Sequence, residues 1–217
     1  MTQGSRLAIA IAAAILLACV SLTHAEAAAK TIVVAGDGSG QFKTVQDAID
    51  SAPAGNVLIE IKPGEYRQVL AINTNRIELR GTGKHPDDVI LVYDNSAGSA
   101  GGTGKSASVA VTGDDFYAEN LTIANDFERR HDRNNQGSQP VALRVTGDRE
   151  VFSHVRFLGY QDTLYADSKT CHTPGETGPC RASRQYFADC YIEGHVDFIF
   201  GDAKPCSTAA RSTPCRT

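Results

Sequence analysis

Residues 145–157 read VTGDREVFSHVRF, and two other stretches repeat their pattern: VTGDDFYAENLTI at 111–123 and SRQYFADCYI at 183–192. Aligned, Asn120, His154 and Asp189 share one column, at offsets of 34 and 35 residues. Leu121, Val155 and Cys190 share the next column, and Ile123, Phe157 and Ile192 another. Short β-type units recurring at such a period, with no helix between them, describe a solenoid, and a solenoid of strands alone is a parallel β-helix. A β-sandwich with coincidental similarity is the competing architecture. The uneven loops around an unchanged apolar ladder favour the solenoid.

Upstream, TIVVA, VLIEI, RIELRG and VILVYD are short, β-branched and bounded by Gly, Pro or Asp, as strands are. One helix is predicted over FKTVQDAIDSA (42–52), where Phe42, Val45, Ile49 and Ala52 fall on one face. The fold class is therefore all-β with one short N-terminal helix.

The chain has 217 residues, 41% of them hydrophobic, enough for a sizeable core. A net charge of -4 gives no basic surface for nucleic acid. Arg6, the apolar run Leu7–Leu22 and the small residues of THAEAAAK have the order of a secretory signal, cut after Ala25 or Ala27. A secreted or periplasmic monomer is expected, with no stable membrane association once the signal (1–27) is removed. Lipoprotein anchoring at Cys19 is the weaker alternative, because Leu17 is bulky for its place. Export implies an oxidising compartment, and Cys171 and Cys180 bracket a Gly/Pro-rich loop that a disulfide would close. No paired CxxC or HExxH is present, so no metal is expected.

The repeat register carries the chemistry. Five residues beyond Phe157 and Ile192 stand Asp162 and Asp197. On adjacent strands about 4.8 Å apart, their carboxyl groups would lie within roughly 5 to 6 Å. Asp197 sits in GHVDFIFGD (194–202), among Val196, Phe198, Ile199 and Phe200, where a charge is costly unless compensated. Two close carboxylates cannot both ionise easily, so one stays protonated near neutrality. Such a pair suits glycoside hydrolysis with retention, or ester hydrolysis with an Asp nucleophile. The second needs amide donors for an oxyanion, and Gln161 and Gln139 are candidates. Asp126, Asp167, Asp189 and Asp202 are read as turn residues bonded to backbone amides. His131, His154 and His195 are read as loop or coil-surface residues. Tyr160, Tyr165, Phe198 and Phe200 fit either a core or a sugar-binding groove.

GDGSGQFKTVQDAIDSAP, IKPGEYRQVL, QPVALRV, GYQDTLY and GHVDFIFGD, in this order, resemble the successive signature blocks of pectin methylesterases, over roughly residues 31–203. The resemblance implies a right-handed parallel β-helix, incomplete at its C-terminus, of the bacterial type. It implies hydrolysis of methyl esters in pectin, a methyl-esterified polygalacturonate, with release of methanol and no cofactor. By position, Asp197 resembles the nucleophile and Asp162 the general acid, later base. Gln161 and Gln139 resemble the oxyanion donors, and Thr103, Tyr165, Val196 and Phe200 resemble substrate-groove contacts. Pro140 stands where the family usually has Ala, and His195 where it usually has Thr.

The family's Gly-Arg-Pro-Trp block, whose arginine orients the nucleophile, is not among these residues. Little activity is expected of this chain on that ground. The tail PCSTAARSTPCRT has no acidic residue and no alternation. A single inserted base can be chosen to restore a coil-like string there. Residues 204–217 are thus expected to be an aberrant, frameshifted tail after a partial domain at 30–203. A β-helix glycosidase or lyase, and a catalytically silent pectin-binding β-helix, are the alternatives.

Overall fold

The computed structural model describes residues 30–131, 138–169, 183–208 and 211–214. The expected signal segment, Cys19, and the loop of Cys171 and Cys180 lie outside these residues. The elements in order are β1 (Lys30–Val34), α1 (Val45–Asp50), β2 (Val57–Ile61), β3 (Gly64–Arg67), β4 (Leu70–Ile72), β5 (Ile77–Gly81) and β6 (Val89–Tyr93). Then come α2 (Ala97–Ala100), β7 (Val109–Val111), β8 (Tyr117–Asn125), α3 (Phe127–Arg130), β9 (Leu143–Val145), β10 (Glu150–Leu158) and β11 (Leu164–Ala166). β12 (Arg184–Ala188), β13 (Tyr191–Gly194), β14 (Ile199–Phe200), β15 (Lys204–Thr208) and β16 (Arg211–Pro214) complete the order.

Every strand pairing is parallel, and the strands stack in three ladders, as a parallel β-helix requires. The first ladder runs β1-β2-β5-β8-β10-β12-β15, and the third runs β4-β7-β9-β11-β14. The second joins β3, β6, β8, β10, β13 and β16. β8 and β10 belong to both the first and the second because each bends midway. The bend is the column seen in the sequence: Asn120, His154 and Asp189 have φ of 53°, 54° and 50°. Asn, Asp and His are the side-chain-bearing residues that enter this left-handed region most readily. Asn120 also donates through Nδ2 to the carbonyls of Gly81 (3.0 Å) and Gly83 (2.8 Å). Gly81 must be glycine, since a Cβ there would lie 2.1 Å from the Asn120 carbonyl oxygen.

Inward-facing residues stack coil on coil. The first ladder contributes Ile32, Ile59, Leu79, Ala118, Phe152 and Phe187 in one register line. The second contributes Tyr66, Leu91, Ile123, Phe157 and Ile192. All are buried, and each full side chain of this kind contributes about 1.5–3 kcal/mol on leaving water. Phe152 stacks on Phe187 at 5.0 Å between centroids, which extends the apolar line into the last coils.

The helix differs from the prediction. α1 is Val45–Asp50, shorter than 42–52. Thr44 caps it by accepting the Asp47 amide (3.2 Å), and Ala52–Pro53 cannot prolong it. Phe42 belongs to β structure instead: its N–H and C=O bond Val33 and Ala35. These bonds to β1 outweigh the helical spacing. Two further α-helical turns, α2 and α3, and two 3-10 turns, Pro86–Asp88 and Thr103–Lys105, lie in loops and have three or four residues each, too few for a periodic signal. The backbone of 204–208 and 211–214 pairs with β12 and β13, despite the lack of alternation in that tail. Among the described residues no helix is long and apolar enough to cross a membrane.

Candidate active site

The corner between the second and third ladders holds Asp162 and Asp197. β11 pairs with β14 through Leu164↔Ile199 and Tyr165↔Phe200, so residues 162 and 197 share one register position. The Asp162 amide donates to the Val196 carbonyl (3.0 Å), and the Leu164 amide to the Phe198 carbonyl (2.9 Å). Gly194 lets the two coils close up, since a Cβ there would meet the Tyr160 carbonyl oxygen at 2.6 Å.

Asp162 and Asp197 have φ of 60° and 47°. That conformation costs a residue with a Cβ roughly 1–2 kcal/mol. It recurs at Asn120, His154 and Asp189 and at Arg76, Asp115 and Arg149, so it marks a corner rather than a function. The distinguishing feature here is two carboxyl groups side by side.

Their burial is the reverse of what the apolar neighbours of Asp197 suggest. Asp197 is exposed, whereas Asp162 is 6% exposed. The corner itself is the reason: with Asp197 at a φ of 47° the chain turns there, so Val196 (53% exposed) faces outward and Phe198, two residues on, packs on the core. Burial first, and then the charge of Asp197, push the Asp162 carboxyl up to about 6, against a hydrogen bond from the Gln161 side chain. Below about pH 6, where the pair holds one proton, that proton therefore sits on Asp162.

The outward row of the third ladder forms a floor beside this corner. It runs Ala71, Ala110, Arg144, Tyr165, Phe200. Tyr165 and Phe200 stack at 4.2 Å with 19° between planes. The Arg144 guanidinium lies 5.3 Å from the Tyr165 centroid and is held by Asp167 at 2.9 Å. Tyr165 and Phe200 are thus a surface pair. Arg144 was not singled out from sequence, although the alternation in VALRV makes it face outward.

Thr103 and Gln139 come together through Ser106. Its buried hydroxyl lies 2.7 Å from both the Thr103 and the Gln139 carbonyl oxygens and accepts the Val141 amide at 3.1 Å. Gly104, next to Thr103, packs on Arg144: a Cβ there would lie 3.4 Å from the guanidinium. This loop therefore borders the same floor. Gln139 has φ of 25°, strained for a residue with a side chain.

Other expectations need correction. Asp126 is buried and paired with Arg67 and Arg129, whereas Asp167 accepts a backbone amide as expected, that of Ser168 at 2.9 Å, and is also buried and paired with Arg144. Asp202 accepts the Ser168 hydroxyl at 2.9 Å. His195 is no free surface residue. Its Nε2 lies 3.1 Å from Glu128 Oε2, a contact hidden from sequence by a separation of 67 positions. Among the described residues no cluster of three or more His, Cys, Asp or Glu is arranged to hold a metal ion.

The Pectinesterase family profile matches residues 31–212. The chain is 39% identical to Pectinesterase 31 of Arabidopsis thaliana over 153 residues, covering 64% of this chain and 46% of that protein. Its fold superimposes on pectin methylesterase PemA from Erwinia chrysanthemi with a TM-score of 0.71 at 34% identity, over 83% of this chain and 54% of PemA. A pectin methylesterase solved in complex with a hexasaccharide gives a TM-score of 0.70 at 35% identity, again over 83% of this chain and 54% of the other. The chain spans about half the length of these relatives.

Proposed function

The chain belongs to the pectinesterase family, and from that premise we propose that its aspartate corner hydrolyses methyl esters of polygalacturonate, releasing methanol and leaving pectate. The observation that carries the reading is the asymmetry of the pair: an exposed Asp197 beside an Asp162 whose carboxyl is held up to about 6. An ionised carboxylate and a protonated one, side by side, are what a nucleophile and a general acid need.

The steps follow from those states. Asp197 attacks the ester carbonyl, and the electron pair moves onto the carbonyl oxygen. The side-chain amides of Gln161 and Gln139 donate to that oxyanion. The tetrahedral species collapses, the bond to methoxide breaks, and Asp162 gives its proton to the departing methanol. An acyl-enzyme anhydride on Asp197 remains. Asp162, now ionised, takes a proton from water, whose oxygen attacks the anhydride and frees the galacturonate. Thr103, Val196, Tyr165 and Phe200 contact the sugar chain, with the aromatic pair offering a flat apolar face.

We also propose that residues 1–27 export the chain and that 30–203 make the domain that acts on pectin. The test incubates the full chain with methyl-esterified polygalacturonate and measures methanol, titratable acid and new reducing ends together. Methanol and acid should appear at a low rate, in equal amounts and without reducing ends, and Asp197→Asn should abolish both. Reducing or unsaturated ends would favour a glycosidase or lyase. Polysaccharide binding without turnover would leave a silent binding protein.

A further inference from the structure

His195 and Glu128 meet beside the aspartate corner. Glu128 is on α3, and its side chain is 9% exposed. Its Oε2 lies 3.1 Å from His195 Nε2, while His195 Nδ1 lies 2.7 Å from the Val196 amide nitrogen. A backbone N–H only donates, so Nδ1 must be bare of a proton. In the neutral ring the proton then sits on Nε2 and is donated to Glu128. The carboxylate and the amide together select one tautomer and one ring orientation. The ring also lies against Tyr160, at 5.9 Å between centroids.

The consequence falls on the residue that precedes the nucleophile. Val196 is held at both ends: His195 accepts its N–H, and its carbonyl accepts the Asp162 amide at 3.0 Å. Asp197 follows directly, at a φ of 47°. α3 is in turn anchored, because Asp126 at its start accepts Arg67 and Arg129. We propose that Glu128 and His195 are a positioning pair, in which Glu128 fixes the His195 tautomer and His195 fixes the Val196 peptide that aims the Asp197 carboxylate. The kinetic part of this inference rests on the esterase reading above. The structural part does not.

Two readouts test it on the full chain. In nitrogen NMR, His195 should be the Nε2–H tautomer. Glu128→Ala should mix the tautomers and speed hydrogen exchange of the Val196 amide, while the Ile59 and Leu79 amides stay protected. Glu128→Gln keeps an acceptor oxygen and should restore both signals. In methanol release, Glu128→Ala should lower kcat roughly ten- to a hundredfold with KM unchanged, since aim rather than substrate contact is lost. Glu128→Gln should recover most of the rate, and adding His195→Ala to Glu128→Ala should cost little more. An Nδ1–H tautomer in the unaltered chain, a Val196 amide indifferent to Glu128→Ala, or a rise in KM without loss of kcat would overturn the pair. Should Glu128→Ala unfold, the tautomer of the unaltered chain and His195→Asn, whose Oδ1 can take the Val196 amide, still decide. No turnover of any methyl ester by the unaltered chain would sink the esterase reading and leave the NMR result to judge the pair.

Discussion

Asp162 and Asp197 occupy one register position on adjacent coils, with the Asp162 amide bonded to the carbonyl of Val196 at 3.0 Å, yet only Asp162 is withdrawn from solvent. Equivalent places in a repeat thus hold unequal carboxyl groups. The inequality gives the two carboxyl groups different surroundings without any difference in residue type.

The titration of Asp162 is the direct check. Burial is the larger cause of its shift and the Asp197 charge the smaller. Asp197→Asn should therefore lower the Asp162 midpoint from about 6 only part of the way towards 3.8. Carbon NMR of the side-chain carboxyl reads this without turnover. A return all the way to the ordinary value would make charge, not burial, the dominant cause.

The stacked phenylalanines predict a large local cost. Phe152 is fully buried and faces Phe187 at 5.0 Å, Phe157 at 5.6 Å and Phe116 at 5.7 Å. Phe152→Ala should lose about 3–5 kcal/mol in urea unfolding, the transfer and cavity costs together. A change within about 0.5 kcal/mol, the usual surface value, would mean that this line is not packed.

The bend at Asn120 predicts a graded series. Asn120→Ala loses the two bonds to Gly81 and Gly83 and keeps the left-handed φ of 53°. A loss of roughly 2–4 kcal/mol is expected from bonds of about 1 kcal/mol each plus the conformational penalty. Asn120→Gly loses the bonds but not the backbone tolerance, and should fall between. If glycine is the worse of the two, conformation is not what the position selects.

Much of this fold is legible in the sequence because each long coil writes its apolar ladder in the same order. The column of Ile123, Phe157 and Ile192 reappears as register neighbours for that reason. Strands such as β4, β9 and β14 are two or three residues long, too short for alternation to be read. The aspartate pair is legible by offset, but its burial is not. Neighbours in sequence suggested a buried Asp197, whereas packing between coils buries Asp162. Glu128 and His195 escape for a related reason: a four-residue helix gives no periodic signal, and the contact depends on where that turn lands.

Glu150 predicts how stability varies with pH. It is 1% exposed, and no well-formed hydrogen bond reaches either carboxyl oxygen. Gln185, its ladder neighbour, spends its amide on the Val145 and Asp167 carbonyls. Burial pushes the Glu150 carboxyl up to about 9; the Phe116 amide and Lys169 pull downward without prevailing. In the unfolded chain the same group titrates near 4.5. Between these values the folded state keeps a proton that the unfolded state has released. The contribution of Glu150 is therefore fully present below 4.5 and is lost as pH rises towards 9. The slope is about 1.4 kcal/mol per pH unit within that window. Glu150→Gln is neutral throughout, so its stability relative to the unaltered chain should rise steadily from pH 5 to pH 8. Other groups titrate alike in both proteins and cancel in the difference. Urea midpoints at several pH values measure it, and a difference that stays constant with pH would show that Glu150 is already ionised in the fold.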